Sequence, residues 1–555
     1  MPDNIVKLCE YNISCQFGGK VKGKKLWTTF EHNGVMFPEP YVQHKTPLIV
    51  NGKKIILPDL AEEYATLYAR YIGTEYAESK RFHKNFYKSW KPSIKGLNIT
   101  SFEQCDFSLL KKYVDDQQLK KKSLSKEEKQ RIKEQNDIEE EKYKIAVVDG
   151  KEQSVGNYKL EPPGIFIGRG CHPKIGTIKP RIMPGDITIN ISKGAEKPQL
   201  PSFYSHLKYK KIIHDNTCQW LASWKDTINE KTKYVWLSSK SDLKARSDIE
   251  KFDKARKLKK HIKNIRKTYF ENLLSSENKI KQLSTALYLI DNFALRVGNE
   301  KSDDEADTVG VTSLRYEHIT LLDNNMIKMD FLGKDSIRYV NTSVVHENVY
   351  KNIKSFMDGK QKGDSLFDLI NSADLNNYIK ELGDFTAKVF RTFNASHTFQ
   401  EEINKINEKY ANYKKSDKFD MLLSSFNTAN AKVAVLCNHQ KNVSKGYEEG
   451  MKKLKEKMLE YKKKIEDLLS NSPDDEKRKK KISKLKDQVK KYKMKKESKI
   501  ELKNVSLGTS KINYIDPRIS VAFFKKHNIP LEKGFSQTLR ERFFWALEVD
   551  ENWTF

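Results

Sequence analysis

Apolar residues recur every three to four positions along several stretches of this 555-residue chain, which is the spacing of amphipathic helices. One such stretch is TALYLIDNFALRVGNE, residues 285–300, in which Gly298 is suited to be a helix C-cap. The pattern therefore predicts a helix whose last turn contains Arg296. Another helix is predicted to begin where Ser125 and Glu128 have the spacing of a capping box.

Alternation with a period of two residues predicts strands elsewhere in the chain. TPLIVNGKKIILP places Asn51-Gly52, a strong two-residue turn signal, between two apolar runs, which predicts a β-hairpin. MIKMDFLGKDSIRYV alternates on both sides of Leu332–Asp335, which predicts two strands joined by a tight turn. Lys334 is then expected at the exposed tip of that turn.

A strict three-four spacing of apolar residues runs through residues 451 to 503. The positions are Met451, Leu454, Met458, Tyr461, Ile465 and Leu468, then, after the break SNSPDD, Ile482, Leu485, Val489 and Tyr492. This repeat predicts two helices that form an antiparallel coiled-coil hairpin. The segment holds 21 Lys or Arg against 10 Asp or Glu, a net charge of +11, so we expect it to lie over phosphates. A solvated charged face is the alternative.

The Gly- and Pro-rich stretch EPPGIFIGRGCHPKIG carries three polar residues that could reach a ligand. They are Arg169, His172 and Lys174. We expect an ordered loop that presents these side chains, and on these residues alone a plain surface turn is an equal alternative.

The composition indicates a polyanionic partner. The chain has 103 Lys or Arg and 74 Asp or Glu, a formal net charge of +29. With 37% hydrophobic and 11% aromatic residues it can build substantial cores, which excludes a disordered basic tail. Six scattered cysteines without a CxxC pair predict neither disulfides nor a zinc site, and therefore a reducing compartment. No signal-peptide pattern or long apolar run occurs, so we expect neither secretion nor a membrane span.

Five residues could supply the chemistry needed to cut a phosphodiester with a tyrosine. Tyr514, in GTSKINYIDPRIS, would be the nucleophile. The phosphorane carries extra negative charge, which the guanidinium groups of Arg296 and Arg391 can grip and to which His439 can donate. The ammonium of Lys334 can give a proton to the departing sugar oxygen. Each residue alone is more typical of a structural role, so the order and surroundings of all five support the assignment.

These five segments, in this order and with a basic hairpin before the tyrosine, resemble the eukaryotic-type DNA topoisomerases of class IB. The resemblance runs from about residue 25 to Phe555. It implies an α+β, multidomain DNA clamp with a mixed α/β cap, a mainly helical catalytic core, an antiparallel coiled-coil linker and a small helical C-terminal domain. The implied boundaries are a short basic tail at 1–25, the cap at 26–239, the catalytic core at 240–442, the linker at 443–503 and the C-terminal domain at 504–555.

The resemblance also implies an activity and a partner. Tyr514 would cleave one strand of supercoiled double-stranded DNA through a 3′-phosphotyrosyl bond, and rotation and religation would follow without ATP, metal or any cofactor. Arg296, Arg391 and His439 would stabilise the scissile phosphate, and Lys334 would be the general acid. The expected protein is a nuclear monomer, with replication, transcription or chromatin proteins as candidate partners.

Further residues are implied to contact DNA. Asp335, Asn513 and Arg169 match family positions that line the nicked-DNA site where camptothecin-type drugs intercalate. The full expected set is Arg169, His172, Lys174, Asp335, Lys388, Asn438 and Asn513. In two respects the chain departs from the family: Ile167 stands where a basic residue is more common, and the long charged amino-terminal region of many members is nearly absent. One phosphate contact, nuclear import and partner binding are therefore in doubt.

Two other functions fit part of the pattern. A tyrosine recombinase shares the Arg/Lys/Arg/His/Tyr chemistry, but its HxxR signature is replaced by Lys388-x-x-Arg391, and nothing after Tyr514 suggests a partner-exchange helix. An architectural protein that clamps duplex DNA by charge alone would bind without nicking. Because all five residue types needed for cleavage are present, the enzyme is the favoured interpretation.

Overall fold

The structure, a computed structural model, describes residues 25–170, 172–299, 306–413, 417–440, 443, 446–471 and 476–555. The chain divides into two compact units, which are described separately below. Unit 1 comprises Met1–Asp248 and Lys301–Asp307, and unit 2 comprises Ile249–Glu300 and Thr308–Phe555. The basic tail predicted at 1–25 lies outside the described residues except for Lys25.

The described residues of unit 1 form small sheets and four α-helices. The helices are α1 Asp59–Ala69, α2 Lys80–Trp90, α3 Ser108–Ser123 and α4 Lys126–Lys144. The strands are β1 Phe30–His32, β2 Leu48–Val50, β3 Lys53–Ile55, β4 Cys105–Asp106, β5 Ile145–Val148, β6 Lys151–Ser154, β7 Gly164–Ile165, β8 Ile178–Lys179, β9 Thr188–Asn190, β10 Lys211–Ile213, β11 Trp220–Lys225 and β12 Thr232–Trp236. They pair in the orders β1-β5-β6, β3-β2-β4, β7-β8 and β10-β9-β11-β12, and only the β9–β10 pair is parallel among these described strands.

Two sequence predictions in unit 1 are confirmed. Strands β2 and β3 form the hairpin expected around Asn51-Gly52, and both turn residues have positive φ (47° and 77°), as a two-residue hairpin turn requires. The Ser125 hydroxyl accepts from the Glu128 amide while the Glu128 carboxylate accepts from the Ser125 amide, so the capping box starts α4. Two separate apolar cores fill the unit, one beneath β9 and β11 and one around α1 and α2.

Unit 2 is mainly helical, with one three-stranded antiparallel sheet in the order β13-β14-β15. The strands are β13 Ile319–Leu322, β14 Met326–Leu332 and β15 Arg338–Val344. The helices are α5 Asp242–Asn272, within which the boundary between the units falls, α6 Asn278–Phe293, α7 Glu347–Met357, α8 Ser372–Glu381, α9 Ala387–Tyr410, α10 Lys418–Leu436, α11 Tyr447–Asn471, α12 Glu476–Glu501, α13 Leu507–Asn513, α14 Pro517–Lys526 and α15 Gln537–Arg542.

One continuous apolar core joins most of unit 2. It includes side chains of α5, α6, α9 and α10, of the β13-β14-β15 sheet, and of the segment from Tyr514 to Phe555. The last forty residues are thus packed against the helices that precede the basic hairpin. This packing fixes the position of Tyr514, which would otherwise lie near a chain end.

Helices α11 and α12 lie where the three-four repeat predicted two helices. They pack antiparallel: the rings of Tyr461 and Tyr492 are 5.6 Å apart, and nearer the base the Lys499 ammonium lies 5.6 Å from the Tyr447 ring centroid. All ten predicted apolar positions are buried or half-buried, whereas the lysines between them are mostly exposed. A regular coiled-coil geometry for this pair remains a prediction.

No helix in the described part of the chain is long and apolar enough to cross a membrane.

Candidate active site

Tyr514 occupies the junction between two helices. It follows the last residue of α13, and α14 begins three residues later at Pro517. Its amide donates to the Ser510 carbonyl (3.0 Å), and its carbonyl accepts from the buried Ser396 hydroxyl of α9 (2.9 Å). With 8% of its surface exposed, Tyr514 is held by its backbone and packed by its ring.

A buried ion pair anchors the chain immediately after Tyr514. The Asp516 carboxylate, fully buried, accepts from the Arg518 amide (3.0 Å) and from the Arg518 guanidinium Nε (3.0 Å) and Nη2 (2.8 Å). Arg518 also pairs with Asp253 of α5 (2.7 Å) and lies over the Trp553 ring. Asp516 is thus both the N-cap of α14 and a link to α5.

Two cationic or polar side chains surround the Tyr514 ring. The guanidinium carbon of Arg391, from α9, lies 5.0 Å from the ring centroid. The His439 imidazole, just after α10, is stacked on the ring with centroids 5.2 Å apart and planes inclined by 25°. Arg391 donates to the Cys437 carbonyl (2.6 Å), which joins α9 to the segment that carries His439. The structure therefore brings three of the predicted catalytic residues together.

The His439 imidazole is buried and has one hydrogen-bond partner in the described residues. Its Nδ1 lies 2.7 Å from the Ser510 hydroxyl, while its Nε2 is buried without a partner. Burial, together with the positive charges of Arg391 and Arg296, lowers the pKa of His439 to about 3. The ring is therefore neutral at physiological pH and carries a single proton.

The prediction that Arg296 lies in the last turn of a helix is wrong. Helix α6 ends at Phe293, and its C-cap is Ala294 in the left-handed region (φ 48°), so Arg296 lies in the segment beyond the helix. Gly298 has φ 93° for another reason: its backbone crosses that of Gly310 so closely that a Cβ on Gly310 would come within 2.8 Å of the Arg296 carbonyl oxygen. That crossing fixes the segment, with Val311 donating to the same carbonyl (2.8 Å).

The side chain of Arg296 joins the same cationic site. Burial and the charge of Arg391 lower its pKa, and the negative charges available on Tyr514 and Asp335 act in the opposite direction. The four groups are thus close enough to interact electrostatically. A guanidinium remains charged under such conditions, so the site concentrates two permanent positive charges next to a phenol.

Lys334 lies in the connection between β14 and β15, exposed as predicted. The connection is wider than a four-residue turn: it spans residues 333–337, closed by a hydrogen bond from the Gly333 amide to the Ile337 carbonyl (2.8 Å). Asp335 and Ser336 adopt positive φ (67° and 57°), which lets the chain reverse direction within this short loop. The charge of the Asp335 carboxylate opposes the lowering of the Arg296 pKa by burial, so this residue of the loop is close enough to that guanidinium to interact with it electrostatically.

The other residues of unit 2 that are expected to contact DNA differ in their exposure to solvent. Lys388 and Asn513 are exposed, one on α9 a turn before Arg391 and the other directly before Tyr514. Asn438 is half-buried with φ 52°, and its carbonyl Oδ1 accepts from the Gln440 amide (2.7 Å). All of them, with Asp335, lie on segments that carry a predicted catalytic residue.

Arg169, His172 and Lys174 lie in unit 1, in the loop between β7 and β8. The loop is ordered by its own contacts: the His172 ring packs edge-on against Phe166, and Lys174 donates to the Ile228 carbonyl (2.8 Å). Arg169 is exposed next to Gly168, whose φ is 60°. These contacts hold the described residues on both sides of residue 171, and the DNA contacts remain predictions.

Sequence reasoning missed three groups that build the site. They are the Ser510 hydroxyl, the Cys437 carbonyl and the Asp516 carboxylate. Asp516-Pro517 carried a helix N-cap signal, and Ser510 precedes Tyr514 by four residues, one helical turn. No sequence pattern identifies a backbone carbonyl such as that of Cys437 as a partner. Among the described residues, no group of three or more His, Cys, Asp or Glu is arranged to hold a metal ion.

Three family models match nearly the whole chain. Residues 25–237 match the DNA binding fragment of eukaryotic DNA topoisomerase I, residues 240–472 match its catalytic core, and residues 486–555 match the C-terminal topoisomerase domain.

Individual proteins are similar over the same extent. DNA topoisomerase 1 of Caenorhabditis elegans is 42% identical over 95% of this chain and 68% of its own length. DNA topoisomerase 1 beta of Arabidopsis thaliana is 41% identical over 100% of this chain and 62% of its own length. DNA topoisomerase 1 of Homo sapiens is 40% identical over 95% of this chain and 72% of its own length. The chain thus spans about two thirds of the length of these relatives.

Proposed function

Because the chain belongs to the eukaryotic DNA topoisomerase I family, we propose that it relaxes positive and negative supercoils by cutting and rejoining one strand of duplex DNA. The cut is an ester exchange: the Tyr514 phenol loses its proton to water, its oxygen bonds to the phosphorus, and the bond from phosphorus to the 5′ oxygen breaks. A 3′-phosphotyrosyl bond and a free 5′ hydroxyl result. The free end then rotates under torsion before the hydroxyl reverses the exchange.

Four other predicted catalytic residues each have a role in that exchange. Arg296 and Arg391 hold the non-bridging oxygens, on which negative charge grows in the phosphorane, and His439 adds a hydrogen bond. Lys334 gives its proton to the departing 5′ oxygen, which becomes the hydroxyl. Lys334 is exposed next to Asp335, whose carboxylate interacts with the Arg296 guanidinium, which supports the proposal that its ammonium reaches the phosphate from the solvent side.

Religation needs no external energy, because one phosphodiester is exchanged for another. A phenolate is a better leaving group than an alkoxide, so the returning 5′ hydroxyl displaces Tyr514 readily. The permanent charges of the arginines supply the stabilisation that a divalent cation provides in other phosphoryl-transfer enzymes. Relaxation is therefore proposed to proceed in EDTA and without ATP.

The observation that carries this proposal is the placement of Arg391 and His439 against Tyr514 on buried, hydrogen-bonded supports. Preorganised donors around a poised nucleophile are what electrostatic catalysis requires. A half-exposed packing tyrosine would need neither a buried guanidinium nor a desolvated histidine beside it. The architectural alternative would bind DNA without using this arrangement.

The experiment that tests the function is Tyr514→Phe, which removes one oxygen and keeps the ring. We expect the variant to bind supercoiled plasmid normally, to form no denaturant-resistant adduct with DNA, and not to relax it. The wild-type protein should become covalently attached to the 3′ end of the cleaved strand. Tyr461→Phe, on α11, is the matched control and should retain activity. An adduct formed by Tyr514→Phe, or a wild-type linkage mapped to another residue, would contradict the proposal.

The proposal also covers the oligomeric state, the cellular location and the way in which the protein binds DNA. We propose a nuclear monomer that grips DNA mainly through phosphates, because the net charge of +29 favours contacts that carry no sequence information. The lysine-rich helices α11 and α12 would then slow strand rotation through non-specific contacts. Gel filtration with light scattering, and imaging of the tagged protein in cells, test the oligomeric state and the location.

A further inference from the structure

His439 has two ring nitrogens in very different surroundings. Nδ1 lies 2.7 Å from the Ser510 hydroxyl, and both residues are buried, with Ser510 completely enclosed. Nε2 is buried too, and within the described residues it has no hydrogen-bond partner. An unpartnered buried nitrogen is costly in a folded protein, which suggests that its partner is a ligand.

The phosphate that the proposed function brings to this site offers hydrogen-bond acceptors only. A neutral imidazole carries its one proton on either Nδ1 or Nε2, and the other nitrogen is then an acceptor. If the proton were on Nδ1, a bare lone pair on Nε2 would face the anionic oxygens. His439 can therefore help the phosphate only in the tautomer that is protonated on Nε2.

The Ser510 hydroxyl is completely buried, and among the described residues its only hydrogen-bond partner is Nδ1 of His439, so its proton is satisfied only if it donates to that nitrogen. We propose that Ser510 is a positioning residue whose hydroxyl donates to Nδ1 of neutral His439 and so keeps the proton on Nε2, facing the scissile phosphate. This inference rests on the proposed function for the identity of the ligand. The hydrogen bond itself joins two residues of the chain and does not depend on that identity.

Ser510 also couples the histidine to the nucleophile. Its carbonyl accepts from the amides of Tyr514 and Ile515 (both 3.0 Å), so the residue that orients the imidazole also ends the helix that presents the tyrosine. At the other end of α13, the Ser506 amide donates to the His439 carbonyl (2.8 Å). The short helix α13 thus fixes the positions of His439 and Tyr514 relative to each other.

The kinetic test is a double-mutant cycle on single-turnover cleavage of an oligonucleotide duplex. Ser510→Ala should slow cleavage roughly tenfold in the wild-type background, the effect of one lost hydrogen bond in the transition state, and should not slow it further in a His439→Ala background. Ser284→Ala is the matched control. Ser284 is equally buried and its hydroxyl donates over the same 2.7 Å, but to the Ile280 carbonyl within α6, so its loss should leave the rate unchanged.

The spectroscopic test reads the tautomer directly and does not depend on activity. In protein labelled with ¹⁵N-histidine, the His439 resonances, assigned by their loss in His439→Gln, should show protonated Nε2 and unprotonated Nδ1 in wild type. Ser510→Ala should convert part of the population to the other tautomer, and Ser284→Ala should not. Urea unfolding of both serine variants checks that they remain equally folded.

The outcomes separate this inference from the proposed function. Protonated Nδ1 in wild type, or an equal rate loss for Ser510→Ala with and without His439, would overturn the positioning role while leaving the topoisomerase activity intact. Absence of any covalent adduct with wild type would overturn the proposed function and, with it, the role of the tautomer in catalysis. A Nε2-protonated wild type with a rate loss that disappears in His439→Ala supports both.

Discussion

Removing the Asp516 carboxylate should destabilise unit 2 and displace the nucleophile. Asp516→Ala removes the N-cap of α14, typically about 1 kcal/mol, and leaves the Arg518 guanidinium, only 11% exposed, with one charged partner. Breaking a buried pair costs about 3 to 5 kcal/mol. Because Asp253, 48% exposed, still pairs with Arg518, the lower end of that range, about 3 kcal/mol, is expected.

The measurement is urea unfolding followed by tryptophan fluorescence, since Arg518 lies 4.8 Å from the Trp553 ring centroid and 5.5 Å from that of Trp545. Asp516→Asn separates the contribution of the N-cap from that of the ion pair. Its amide oxygen still caps α14 while the charge that pairs with Arg518 is lost, so its loss of stability should be smaller than that of Asp516→Ala. Lys453→Ala, which breaks the exposed ion pair with Glu449, should produce no measurable change.

The result that would refute this reasoning is a loss of less than about 1 kcal/mol for Asp516→Ala. Arg518 would then be satisfied by water or by its aromatic neighbours, and the pair would not anchor the chain after Tyr514. Asp516→Ala could instead lose the expected stability while its folded fraction cleaves DNA at the wild-type rate. The ion pair would then stabilise unit 2 without positioning the nucleophile. That result would show that the hydrogen bonds of Tyr514 with Ser396 and Ser510 are sufficient to hold it in place.

Three further predictions concern the chemistry and the DNA grip. Lys334→Ala should slow cleavage by roughly 10²-fold, and a substrate with a 5′-bridging sulfur, which needs no proton to leave, should restore the rate; if that substrate fails, the lysine acts on the phosphate instead. Replacing Met451–Lys499 by a short flexible linker should weaken DNA binding and reduce its salt dependence while covalent adducts still form; loss of all adducts would place the hairpin in the active site. Gly310→Ala should force the Arg296 segment aside and slow cleavage at least roughly tenfold, whereas Gly446→Ala, where a Cβ would meet nothing within 4 Å, should not; equal rates for both would show that the glycine crossing does not position the arginine.

The elements that the sequence predicted correctly are those set by local chemistry. Asn51-Gly52 favours a hairpin because both residues tolerate positive φ, and Ser125 with Glu128 starts a helix because their side chains satisfy free amides. The spacing of apolar residues located α11 and α12 for a similar reason, since the period of a helix is local. None of these signals depends on what lies across the fold.

The prediction for Arg296 failed because tertiary packing decided the end of α6. Asp291, in the last turn, is held by Arg266 (2.8 Å), and its carbonyl accepts from the Asn394 amide (2.5 Å), so the helix end is fixed by α5 and α9. The chain then turns at Ala294 towards the glycine crossing. A glycine that follows a helical pattern is typical of a helix cap. Here, however, Gly298 allows the backbone to approach Gly310 closely, and the sequence does not indicate that contact.

Identifying the residue types of the site was easier than predicting their physical state. Nothing in the sequence around His439 indicates that its pKa falls to about 3, because that shift comes from burial and from two arginines on other segments. Only below about pH 3 would the ring be charged, so His439 adds a directed hydrogen bond to the site and no third positive charge. In the proposed mechanism the permanent charge comes from Arg296 and Arg391, and the proton for the departing oxygen from Lys334 on its exposed loop. Under that proposal fixed charge, directed donor and proton source are separate groups, so Arg296, Arg391 and His439 keep their protonation through cleavage and religation, while Tyr514 and Lys334 each lose a proton on cleavage and regain it on religation.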